Sequence, residues 1–575
     1  MSQPRLILSQ LIIITVLTLT TSHSQAETEK ADLVLSNGKI YTMNPEQPWA
    51  ESVAIGGGRI LAVGTDEALA SYAESASRTI NLEQQMLLPA FQDVHIHPMT
   101  GGLAYLGCSL FGIEEMDAVL EKISQCVKEA PEADFIRGDG WDWGLFIGVG
   151  APHKKYLDAI DDTRPLIFGD ADGHTLWINS AALALAEIDA DTIDPDGGEI
   201  TREKDSKEPT GVLLEGPAMD LLNNKLPPPT LEQKKAALLY TQKYLHSLGI
   251  TAMQDAFVGL TGTDSAKSLE AYQSLLDEDK LKLRVKTALY WEPGQGLDQI
   301  KAMQAARETY SQERLQVNAV KFWADGILEA YTAKLLEPYS DKPETTGLLM
   351  VPEDEIMAAI PLLDAAQFQV HIHTIGDATV RYALDAVELA QKNNGVRDAR
   401  HLTAHTQLVD IDDIKRFAEL DVIATFSPYW AYYDDYSLEI NPPQLGAARM
   451  QRMYPIQELI EAGTTVSFGS DWSVSSADPL LGIETAVSRK DPHAPSELVF
   501  FPEQRVSLHD AIAGYTINAA YTNFLETETG SVEVGKYADL VILDQNLFDI
   551  PVAEISDAKV QATLLEGELV YGALD

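Results

Sequence analysis

The chain has 575 residues, 45% of them apolar and 22% charged, a globular composition that excludes disordered, collagen-like and low-complexity classes. Its length suggests roughly two to four domains, although a barrel of strand–helix units can exceed about 250 residues as one. With 42 Lys+Arg against 87 Asp+Glu, a net charge of −45, nucleic acid and anionic lipid are excluded as partners.

In chain order, a targeting segment comes first. Arg5 precedes an apolar run from Leu6 to Leu19, and Ser24-Gln25-Ala26 offers small residues at the two positions a signal peptidase reads. This predicts a cleaved signal over 1–26, a mature chain from Glu27 and a periplasmic or secreted protein. The run is shorter than the roughly 20 residues that a membrane span requires. No later segment is apolar enough to span a bilayer, so no membrane contact is expected after cleavage. The two cysteines, Cys108 and Cys126, cannot form a cysteine-rich zinc site. They are expected either as one disulfide or as two buried thiols.

From Ala31 the text alternates like short strands: Asp32–Leu35, Lys39–Thr42, Ser52–Ile55 and Arg59–Val63, divided by Asn37-Gly38 and Gly56-Gly57-Gly58. The C-terminus reads alike at Ala538–Leu543, Val560–Leu565 and Leu569–Tyr571. Neither end alone has enough strands for a stable sheet. Together they predict a small β-sandwich built from both termini, over 27–88 and 528–575.

Between them, over 89–527, apolar strands alternate with helical patterns. Eight strands are predicted: Phe91–His97, Thr251–Asp255, Arg284–Tyr290, Val317–Lys321, Phe368–His373, His401–His405, Val422–Phe426 and Thr465–Gly469. Helices are expected at Glu232–Leu248, Thr263–Leu276, Asp354–Ala366 and Arg452–Ala462. This is a (β/α)8 barrel whose first crossover, about 98–250, is a large insertion over the mouth; within it Asp191–Pro209 reads as a solvated hairpin or loop.

Active sites of such barrels stand at the C-terminal strand ends. Strand one ends in His95-Ile96-His97, two imidazoles on one face. Strand four ends in Lys321, strand five in His371-Ile372-His373 and strand six in His405, and strand eight runs into Gly469-Ser470-Asp471. Imidazole and carboxylate are zinc ligands. His371 is an alternative to His373, which is nearer the strand end. Asp471 could alternatively cap a helix near Ser473. His23, His153, His246, His493 and His509 read as ordinary surface or core residues. Trp141, Trp143, Trp177, Trp323, Trp430 and Trp472 fall near the expected mouth; they line an aromatic pocket or pack the insertion onto the barrel.

The sequence resembles the amidohydrolase superfamily, in the branch of N-substituted formamide deformylases. The likeness rests on Leu88–His97, Gly173-His174-Thr175, Val320-Lys321-Phe322-Trp323-Ala324-Asp325-Gly326, His373-Thr374-Ile375-Gly376-Asp377, Arg400–His405 and Gly469–Val474. The resemblance implies a centre of one or two divalent ions, zinc foremost. His95 and His97 would bind one, His373 and His405 a second, Asp471 would contact the first, and Lys321, carboxylated by carbon dioxide, would bridge. It further implies attack by metal-activated hydroxide on a C–N bond of an N-substituted amide or formamide, with Asp471 as general base and His174 as electrophile. The substrate would be a small molecule with an apolar or aromatic substituent. An ester, a lactone, a cyclic imide, or a non-catalytic regulatory role on the same scaffold are the alternatives, and a homo-oligomer is compatible with all of them.

Overall fold

The computed structural model describes residues 30–574 except 147–149, 172, 196, 261–266 and 495–496. The expected signal segment with His23 and Glu27 lies outside the described residues. So does the start of the helix expected from Thr263, which is described as Lys267–Asp277.

Eight parallel strands form one sheet in sequential order: Phe91–Ile96, Ile250–Val258, Arg284–Tyr290, Leu315–Trp323, Gln369–Thr374, Leu402–His405, Ile423–Phe426 and Val466–Phe468. They are buried along nearly their whole length because a parallel sheet is covered on both faces. The ring closes beyond strand eight, where the Asp471 N–H donates to the His95 carbonyl and the His97 N–H donates to the Trp472 carbonyl, both at 2.8 Å. The helix expected at Arg452–Ala462 begins only at Ile456. Pro455 disfavours helical geometry in the residue before it, and Tyr454 takes φ 49°.

Both termini build a β-sandwich beside the barrel. Strand Leu540–Leu543 pairs antiparallel with Met86–Pro89, so the two chain ends share one sheet. Leu35, Val53, Ile55 and Ile60 of the four-stranded sheet pack against Leu87, Leu540, Ile542 and Leu564 of the six-stranded one.

The insertion carries its own six-stranded sheet, which the sequence reading did not resolve: Cys108–Ser109, Ile136–Trp141, Leu166–Asp170, Thr175–Ile178, Pro209–Leu214 and Glu199–Arg202, in that spatial order. Its faces alternate. Phe168 and Trp177 pack on one side and Ile167, Leu176 and Ile178 on the other, the period of two that a strand imposes. The Asp191–Pro209 segment holds the hairpin between the last two strands. Cys108 and Cys126 are joined in a disulfide, linking an edge strand to helix Met116–Glu129.

Candidate metal centre

Strand one alternates faces, so His95 and His97 project together from its C-terminal end. The two closing hydrogen bonds bring Asp471 across to them. One Asp471 oxygen lies 3.0 Å from His97 Nε2 and 3.3 Å from His95 Nε2, and the donor atoms of the three residues all lie within 4.8 Å of one another. His405 Nδ1 stands 3.7 Å from the other Asp471 oxygen. Lys321 Nζ is 3.5 Å from His95 Nε2. His373 joins through its ring, 4.6 Å from that of His405, while its Nε2 faces the Gly326 carbonyl at 3.3 Å. His371 lies against His95, whose Nδ1 is 2.6 Å from His371 Nε2. His174 is farther out, its ring 4.8 Å from that of Trp323 and 5.9 Å from that of His373.

These residues fit a divalent cation. His405 Nδ1 is buried without a hydrogen bond, an arrangement that is costly unless something else satisfies it. Burial, then the charge of Lys321, holds His95 and His373 well below the ordinary imidazole value, so both rings are in the neutral form that ligates metals. Burial works against the Asp471 carboxylate, but the neighbouring His97 and the charges of His405 and Lys321 outweigh it and hold the group at about 2. Burial draws the Lys321 ammonium down to about 7, opposed by Asp471.

The local backbone is unusual. His405 and Asp471 have φ of 69° and 56°, a region that costs of order 1–3 kcal/mol for a residue with a Cβ and that concentrates at functional sites. Gly469 is required by close approach, since a Cβ there would stand 2.6 Å from the His95 nitrogen. Asp471 caps no helix: the next one, Pro479–Ser488, is capped by Asp478.

Three supporting carboxylates escaped the sequence reading. Asp93 accepts from the His95 and Ser470 amides, and Asp325 from those of Ile375, Gly376 and Lys334. Glu215 pairs with His174 Nδ1 at 2.8 Å. Each was signalled only by a charge inside an apolar stretch. The tryptophan expectation holds only in part. Trp141 and Trp177 are fully buried in the insertion's own core, where burial of the ring outweighs exposure to a ligand. Trp472 is buried against Tyr105 and Tyr244. Trp323 and Trp430 flank the site, the latter stacked 5.5 Å from the His405 ring. His246 and His509 are hydrogen-bonded elsewhere, as ordinary residues.

A parallel barrel with imidazoles and a carboxylate gathered at its C-terminal strand ends defines a metal-dependent hydrolase. The chain belongs to the amidohydrolase family, whose profile matches residues 78–571, and is a hydrolase acting on carbon–nitrogen bonds. It is 32% identical over 547 residues to protein LONG AFTER FAR-RED 3 of Arabidopsis thaliana, covering 94% of this chain and 92% of that one. It is 27% identical over 561 residues to an N-substituted formamide deformylase of Arthrobacter pascens, covering 95% and 99%. Among solved structures, an uncharacterized metal-dependent hydrolase from Pyrococcus furiosus is 28% identical with a TM-score of 0.68, covering 89% of this chain and 99% of that one. No helix among the described residues is long and apolar enough to cross a membrane.

Proposed function

We propose that the protein is an exported zinc hydrolase that cleaves the C–N bond of an N-substituted amide or formamide. The observation that carries this reading is the buried Asp471 carboxylate, one of whose oxygens stands 3.0 Å from His97 Nε2 and 3.3 Å from His95 Nε2. The likeness to a formamide deformylase supports the substrate class. The Cys108–Cys126 disulfide supports an oxidising compartment, in keeping with the signal read over 1–26, and the sandwich and barrel boundaries near 88 and 528 belong to the same proposal.

His95, His97 and Asp471 would hold one ion; Lys321, His373 and His405 would complete its shell or hold a second. When bound, a divalent cation supplies Lewis acidity, lowering the pKa of water from about 16 to about 7 and polarising a carbonyl. Asp471 accepts the proton of the attacking water and returns it to the leaving nitrogen as the C–N bond breaks. His174 serves the carbonyl oxygen as electrophile, and Trp323 and Trp430 offer aromatic surface to an apolar substituent. An unmodified ammonium at Lys321 has no lone pair to share. Its amine adds to carbon dioxide with loss of one proton, giving a carbamate anion whose oxygens would serve as ligands.

Metal analysis of the purified protein beside a panel of N-formyl and N-acyl arylalkylamines, esters, lactones and cyclic imides tests this. Turnover confined to the amides is expected; preference for esters or lactones, or a metal-loaded protein that turns over nothing, overturns the substrate class or the catalytic reading. Lys321→Ala should be inactive and partly restored by a short carboxylic acid. Full activity without rescue eliminates the carbamate.

A further inference from the structure

The insertion is tied into the site by one acidic residue that the proposed chemistry does not yet use. Insertion strands Thr175–Ile178 and Pro209–Leu214 are antiparallel, with Thr175 opposite Leu214. This register sets His174 beside Glu215, whose N–H donates to the His174 carbonyl at 2.7 Å. The side chains meet as well: His174 Nδ1 is 2.8 Å from Glu215 Oε2. The other carboxylate oxygen accepts from the Thr332 hydroxyl at 2.7 Å, on the barrel segment that follows strand four. Glu215 is 1% exposed and has φ 66°. A buried carboxylate on a strained backbone costs stability twice, yet both its oxygens are engaged, one by an imidazole and one by the barrel. Gly326 lines the same spot, where a Cβ would stand 2.7 Å from Glu215 Oε1.

We propose that Glu215 is a positioning residue that orients His174 for the carbonyl oxygen of the substrate. A carboxylate only accepts, so the proton of the pair sits on His174 Nδ1, and the chemistry of the ring toward substrate falls to Nε2. In the doubly protonated ring, Nε2–H donates a hydrogen bond. No proton leaves the ring in this step. It donates while the carbonyl oxygen takes up the electron pair of the C=O bond, and the C=O re-forms as the C–N bond breaks. The edge-on Trp323 ring, 4.8 Å away, holds the imidazole between insertion and barrel. Through Glu215 and Thr332 the insertion thereby sets the geometry of a group at the barrel mouth.

This rests on the reading of the site as an amide hydrolase, so the test has one arm that needs no substrate. In proton NMR of the metal-loaded full-length protein with labelled histidine, the hydrogen-bonded Nδ1–H of His174 should give a downfield signal. Glu215→Ala and His174→Ala should each abolish it. In kinetics on the amide of the panel turned over fastest, His174→Ala should lower kcat by about 10²–10³-fold, the scale of a lost oxyanion donor. Glu215→Ala should lower it by about 10–100-fold, with KM and metal content little changed. The double variant should be no slower than His174→Ala alone. Glu215→Gln, which keeps the shape and removes the charge, carries the kinetic test should Glu215→Ala fail to fold. It should keep the melting temperature and metal while kcat falls. A signal that survives in Glu215→Ala, an unchanged kcat in Glu215→Gln, or losses that multiply in the double variant, overturns the assignment. If the wild type turns over nothing in the panel, the hydrolase reading fails while the NMR arm still decides the pair.

Discussion

Asp471 gathers more of the site than any other residue: two strand-one imidazoles on one oxygen, His405 opposite the other, and a left-handed backbone. Asn has the same shape but cannot accept a proton, so Asp471→Asn should preserve fold and most metal while turnover falls about 10²–10⁴-fold. Parallel rate and metal measurements check this; near-normal turnover would leave Asp471 no part in proton transfer. His371 acts one layer deeper. Its Nε2 lies 2.6 Å from His95 Nδ1, and such partners orient a metal-binding imidazole and fix its tautomer. His371→Ala should weaken metal binding about 10–100-fold, read by titration with a competing chelator, whereas unchanged affinity would make the contact incidental. Residue positions at strand ends were legible because a period of two and a barrel's polarity dictate which side chains face the mouth. The supporting partners were not legible, since Glu215 and Asp93 meet their targets through register and closure across distant segments.

At the level of elements, legibility follows strand propensity. Arg284–Tyr290 is observed with the limits expected of it, because Val285, Thr287 and Tyr290 favour a strand and the segment is covered inside the barrel. Ile136–Trp141 escaped notice because Arg137-Gly138-Asp139-Gly140 has little strand propensity; it is a strand because neighbours pair with it on both sides. A second element-level device joins helix Glu353–Ala365 to the segment that connects strands five and six. Asp364 receives Arg397 at 2.6 Å and Asn394 at 2.7 Å, and lies 3.2 Å from His401. Burial opposes the charge, yet His401, Asn394 and Arg397 hold the carboxyl down at about 2. A carboxyl depressed in the folded state stabilises above its unfolded pKa of about 4, and that contribution fades as pH falls toward 2. Asp364→Asn should therefore lower the melting temperature at pH 7, by a loss of about 1–2 kcal/mol, with the gap to wild type closing below about pH 4. A gap that stays constant with pH would refute the linkage.

The whole molecule is held together at the barrel's floor by charge rather than apolar area alone. Arg284 donates to Asp539 at 2.7 Å and to Glu566 at 2.8 Å, while Arg314 reaches Glu566 at 2.7 Å from a more exposed position. Removing one partner of a buried pair leaves an uncompensated charge and costs about 3–5 kcal/mol; a rim pair contributes about 0–1 kcal/mol. Arg284→Ala should thus lower the unfolding temperature clearly more than Arg314→Ala, and equal effects in calorimetry would contradict a buried tie between barrel and sandwich.

The closure of the barrel has a mechanical side. Sheet pairing runs from strand one through strand eight, and the remaining gap is bridged by two backbone hydrogen bonds, Asp471 to His95 and His97 to Trp472. The side chains gathered over that seam belong to the very residues whose backbones fasten it. A cation gripped by His95, His97 and Asp471 would act as a rivet through the place where a cylinder rolled from a flat sheet is most apt to spring open. Ligand bound to the folded state alone adds RT ln(1 + [L]/Kd), about 4 kcal/mol at a thousandfold excess over Kd, and here that increment would fall on one joint. Stripping the metal with a chelator should accordingly hasten hydrogen exchange at the amides of His97 and Asp471 well before it touches those of Arg284–Tyr290 on the far wall. Uniform exchange around the ring would mean that the hoop stays shut without its rivet.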